Sequence, residues 1–62
     1  MIFYRVYFGG NPRYIKHHHT RKGVFWLDYA RGIDQAQGRK NRSLQLEYWL
    51  NKTGFKWDYI VI

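Results

Sequence analysis

Ile2-Phe3-Tyr4-Arg5-Val6-Tyr7-Phe8 consists almost wholly of β-branched and aromatic residues. Such side chains fit a pleated, half-buried surface. Read at period two, Ile2, Tyr4, Val6 and Phe8 share one face, and Phe3, Arg5 and Tyr7 share the other. This segment is a strand, and its first face needs a cover. Gly9-Gly10-Asn11-Pro12 ends it, because glycine accepts unusual φ values and proline removes a donor.

Working outward, Arg13 to His19 reads as a second strand and Val24 to Tyr29 as a third. Thr20-Arg21-Lys22-Gly23 is a tight connection in which Gly23 accepts a positive φ. The pair is expected to form an antiparallel hairpin with a basic tip. Tyr14, Lys16 and His18 are expected on one face of the second strand, with His17 and His19 on the other. On the third strand Trp26 lies opposite Phe25 and Leu27.

The stretch from Ala30 to Arg42 reads as loop or short helix. Gly32 and Gly38 weaken a continuous helix by about 1 kcal/mol each relative to alanine. Asp34 is a candidate cap for a short helical turn. Asn41 or Ser43 then offers an N-cap for a helix running through Asn51. Leu46, Trp49 and Leu50 fall on one helix face, with Glu47 and the glutamines directed elsewhere. Lys52 suits the negative end of the helix dipole, and Gly54 is a natural stop. In Phe55 to Ile62, the residues Phe55, Trp57, Tyr59 and Val61 alternate with Lys56, Asp58, Ile60 and Ile62, which predicts a last strand. The expected fold is α+β: a mainly antiparallel sheet of three to four strands, in the order β-β-β-α-β, with one helix on one face.

With 62 residues, the chain reads as a single domain over 1–62. It has no cysteine, so neither disulfides nor cysteine-containing zinc sites are available. Aromatic residues supply the core instead, at 21% of the chain. No signal peptide and no membrane-spanning apolar run is visible, and the expected location is cytoplasmic.

Charge is the most informative feature. Eleven Lys and Arg face four Asp and Glu, a net charge of +7 with neutral histidines. The excess is clustered: residues 13–22 hold four cations and no acid, and residues 35–46 hold three cations and no acid. Such a field favours nucleic acid or an acidic protein surface as partner. The candidate phosphate contacts are Arg5, Arg13, Lys16, Arg21 and Lys22 around the hairpin, and Arg39, Lys40 and Arg42 before the helix N-terminus. Tyr7, Tyr14 and Trp26 are candidate stacking platforms for bases. Solvated charges and structural aromatics would look the same in the sequence.

His17-His18-His19 offers two same-face ligands but no zinc-like spacing to a third, so no metal and no cofactor is expected. No nucleophile elbow, phosphate loop or carboxylate pair is present, and the chain reads as a binding protein and not an enzyme. The leading expectation is a nucleic-acid-binding protein of the size of a small regulator or viral early protein. The alternative is a small protein, such as a phage encodes, that blocks a larger host enzyme with its aromatic and arginine side chains. Two further readings are a ribonuclease using a histidine with Lys16, Arg21 or Arg39, and a cationic membrane-active peptide. A dimer is compatible with all of these. Lys40→Ala and Arg42→Ala are expected to weaken nucleic-acid binding with little change in melting temperature.

Overall fold

The computed structural model describes residues 1–62, apart from the side chain of Thr20. Four strands form one antiparallel sheet: β1 (Ile2–Phe8), β2 (Asn11–Arg21), β3 (Val24–Ala30) and β4 (Lys56–Val61). Their order in space is β3-β2-β1-β4. One helix, α1 (Leu44–Thr53), links β3 to β4 after a loop with a single 3-10 turn at Ile33–Gln35. The α+β architecture is therefore as the sequence reads. The last strand returns to pair with the first, from Ile2 opposite Val61 to Tyr7 opposite Lys56.

Both hairpin turns are two residues long. Gly9 and Gly10 have φ of 62° and 99°, and Lys22 and Gly23 have φ of 51° and 78°. Positive φ at both positions is the turn geometry whose twist matches that of the flanking strands. This shortens both expected breaks. Asn11 and Pro12 belong to β2, with Pro12 opposite Tyr7, and Arg21 closes the ribbon opposite Val24. Proline is tolerated because the closing pair Phe8–Asn11 uses the inward bonds. Its missing donor therefore points away from β1, on the side where β3 has already ended at Ala30.

The core lies between the sheet and α1. Tyr4, Val6, Ile15, Leu46 and Leu50 are fully buried, and Ile2, Phe25, Leu27 and Trp57 pack against them. Ser43 is the N-cap, accepting from the Leu46 backbone N–H at 3.3 Å, and Gly54 ends the helix in the left-handed region at φ 78°. Trp49 stacks on Phe25 with ring centroids 5.3 Å apart, at the rim of the core. Asp34 caps nothing: Gly32 precedes the 3-10 turn without a side-chain cap, and Asp34 lies inside the turn.

Glu47 departs from its expected outward position. It is buried, at 6% exposure, and accepts from the Tyr4 hydroxyl at 2.5 Å and from Arg42 Nε at 2.9 Å, with Arg42 Nη2 on its other oxygen. The Tyr4 hydroxyl in turn accepts from the Ser43 backbone N–H at 2.9 Å. The helix start is thus tied to the central strand through a buried tyrosine whose hydroxyl needs partners.

β2 diverges from β1 beyond the pair Arg5–Tyr14. A bulge at Lys16 sets Ile15 opposite Tyr29 but His17 opposite Asp28, so two residues of β2 occupy the space of one on β3. Arg39 takes the vacated place beside β1, exchanging backbone hydrogen bonds with Ile2 at 2.7 and 2.9 Å. Residues 15–29 therefore leave the four-stranded sheet as a two-stranded ribbon about 20 Å long at 3.3 Å per residue. Trp49 supports it from the helix side through Phe25.

Candidate nucleic-acid interface

The face of the sheet opposite α1 follows from the register. Phe3, Arg5 and Tyr7 of β1 share it with Tyr14 of β2, Ala30 of β3, and Lys56, Asp58 and Ile60 of β4. Past the bulge the same face carries His17, His19 and Arg21, with Val24, Trp26 and Asp28 beside them. The bulge changes one expectation: His18 does not share a face with Tyr14. It sits opposite Leu27, on the helix side. His17 and His19 do point together.

Two clusters occupy this face. In the first, Arg5 donates to both oxygens of Asp58 at 2.8 and 2.7 Å, and the Tyr7 hydroxyl donates to Asp58 at 2.8 Å. These donors hold Asp58 below the usual carboxylate range, the Arg5 bonds first among them. The Arg5 and Lys56 cations lie 5.7 and 5.5 Å from the Tyr7 ring centroid. Arg5 and Tyr7 are therefore bound to the sheet itself. Tyr14 is half-buried beside them, opposite Arg5.

The second cluster lies on the ribbon, about 13 Å along the strands from the pair Tyr14–Ala30. His19 stacks on Trp26 with centroids 5.1 Å apart and an interplanar angle of 17°. Its Nε2 lies 3.1 Å from Asp28 Oδ2, and its ring centroid is 6.2 Å from that of His17. Trp26 is 44% exposed. Arg21 and Lys22 stand at the tip and Lys16 at the bulge, all exposed. The three expected stacking rings thus share one face but do not form one platform.

The remaining cations divide by environment. Arg13 lies on the helix side opposite Val6, and its guanidinium donates to the Pro12 carbonyl at 3.2 Å. Arg42 is held by Glu47 and lies 5.4 Å from the Tyr59 ring centroid. Arg39 turns inward: Nη2 meets His18 Nδ1 at 3.2 Å, the guanidinium lies 5.8 Å from the Tyr4 ring centroid, and Nη1 is buried with no partner among the described residues. Burial pushes Arg39 below the ordinary arginine range. Burial, followed by the charge of Arg39, pushes His18 down. Lys40 is exposed. Among the described side chains Lys16, Arg21, Lys22, Arg31 and Lys40 make no hydrogen bond or ion pair within the chain. Arg31 was not singled out by the sequence, since it stands alone outside both basic runs.

Among the described residues no pocket is enclosed, no group of three ligating side chains is arranged to hold a metal ion, and no helix is long and apolar enough to cross a membrane. No family model matches the chain, and neither does any curated protein or solved structure.

Proposed function

We propose that this protein binds nucleic acid through the β2–β3 ribbon, on the face away from α1. The observation that carries the reading is the composition of that ribbon. Lys16, Arg21 and Lys22 are exposed and make no hydrogen bond or ion pair among the described side chains, beside the exposed His17, His19 and Trp26, and Asp28 is the sole acid among them. Cations that are not neutralised within the chain release counterions when they meet phosphate, whereas Arg5 and Arg42 already hold carboxylates. A two-stranded ribbon has the dimensions to enter a major groove, and an exposed indole offers a stacking surface to an unpaired base.

The test is a titration of short single-stranded and duplex DNA and RNA, read by anisotropy at about 50 to 200 mM salt. Three phosphate contacts give a slope of log K against log salt near −2.7 on duplex DNA, from 0.9 per contact. Lys22→Ala lowers the slope by about one, and Arg5→Ala leaves it unchanged. Absence of binding to all four probes at the lowest salt refutes the proposal and favours the protein-inhibitor alternative.

A further inference from the structure

We infer that the His17–His19–Asp28 cluster on the ribbon cleaves RNA by transesterification, with one histidine as general base and the other as general acid. The inference rests on the nucleic-acid reading above and adds a reaction to it. Cleavage of this kind needs no metal. It needs a base for the ribose 2′-hydroxyl, an acid for the departing 5′-oxygen, and cations for the charge that builds on phosphorus.

The geometry divides these roles between the two rings. His19 is fixed twice, by stacking on Trp26 and by the bond from Nε2 to Asp28 Oδ2 at 3.1 Å. When both its nitrogens carry protons, Nε2–H donates to Asp28 and the Nδ1 proton remains to be given away. His17 has no hydrogen-bond partner among the described side chains and serves as the base. The ring centroids are 6.2 Å apart. Each ring must reach only one of the two oxygens that flank phosphorus in line, at about 2.6–3.2 Å. Two rings at this separation can straddle one phosphate. Arg21 follows on the same face of β2, and Lys16 adjoins His17 at the bulge. These two cations supply the charge for the developing phosphorane.

The reaction balances without a co-reactant. His17 takes the 2′-hydroxyl proton as the 2′-oxygen bonds to phosphorus. The bond from phosphorus to the 5′-oxygen breaks, and His19 gives its proton to that oxygen. The products are a 2′,3′-cyclic phosphate and a free 5′-hydroxyl. Asp28 acts through His19 and is a positioning residue.

The experiment uses the full chain with a short RNA labelled at both ends, and the same RNA carrying a single 2′-deoxy residue. Binding is measured by anisotropy on the same sequence with every 2′-hydroxyl methylated, which cannot react, and cleavage on the other two. The expected result is cleavage giving a cyclic phosphate terminus, with no cut at the deoxy position. His17→Ala and His19→Ala each lower the rate by about 10²–10⁴-fold, a loss far larger than any they cause in binding, and melting curves check that both variants are folded. Asp28→Asn lowers kcat with KM unchanged, and Asp28→Glu restores part of it. Binding without cleavage overturns this inference and leaves the binding reading standing. So does cleavage that persists in a His17→Ala/His19→Ala double variant purified in the same way. Absence of binding to RNA overturns this inference, and absence of binding to the DNA probes as well overturns the binding reading.

Discussion

Replacing Tyr4 by phenylalanine isolates the bond that ties the helix to the sheet. The ring is fully buried, with centroids 6.0 and 5.8 Å from those of Trp57 and Tyr59, and phenylalanine keeps those contacts. Only the hydroxyl is lost. With it, Glu47 loses a donor at 2.5 Å and the Ser43 N–H loses its acceptor at 2.9 Å. A hydrogen bond to a charged group is worth about 1.5–3 kcal/mol, and an orphaned donor costs about 1–3 kcal/mol. Arg42 still serves Glu47, and Ser43 is only half-buried, so the sum falls at the low end, about 2.5 kcal/mol. For a domain of this size that is a fall in melting temperature of roughly 10–20 °C. Thermal and urea unfolding followed by circular dichroism measure it. The urea slope is expected to stay constant, because the surface exposed on unfolding barely changes. A melting temperature within about 3 °C of the parent refutes the buried bridge as a source of stability.

Arg42→Ala removes the partner of buried Glu47 and is expected to lower the melting temperature, contrary to the sequence-based expectation, whereas Lys40→Ala leaves it unchanged. Trp49→Ala is expected to cost about 2–3 kcal/mol, below the 3–5 of a fully buried ring, because Trp49 is only partly covered; chemical denaturation checks this. Stability is expected to decline in acid in two stages, followed as melting temperature against pH. His18 is held below its ordinary value, so its contribution is complete above about pH 6.5 and is lost as pH falls through the depressed value; His18→Gln removes this stage. Glu47 and Asp58 are held down by Arg42 and Arg5, so their contribution is present above about pH 4 and disappears as pH falls through their folded values.

The strands and the helix were legible because each buries one face and so repeats at its own period. The Ile2–Phe8 alternation and the Leu46–Trp49–Leu50 spacing needed no outside information. A helical wheel misplaces Glu47, because it sends a carboxylate away from the apolar face. The clue lay forty-three residues away, in a tyrosine on the apolar face of β1 whose hydroxyl required partners. The bulge at Lys16 was hidden because Lys16-His17-His18-His19 has no polar alternation to slip against. In the sequence Pro12 reads as a breaker, because its tolerance depends on where the neighbouring strand stops. In the basic set, the sequence located the cations but not their pairing. Arg5 and Arg42 hold acids, Arg13 bonds a carbonyl and Arg39 turns inward, so the cations of that set with no partner among the described side chains are Lys16, Arg21, Lys22 and Lys40.

The fork at Lys16 separates reach from stability. The fully buried residues lie at Ile15 or on β1 and α1, and the ribbon beyond adds only a rim of contacts to them. Paired insertions of two residues on each side of the Lys22-Gly23 turn keep every side chain on its own face and lengthen the arm by about 7 Å per insertion. The body then behaves as a mount and the arm as an adjustable spacer. Such variants would form a set of rulers, differing in how far they extend and alike in how they melt.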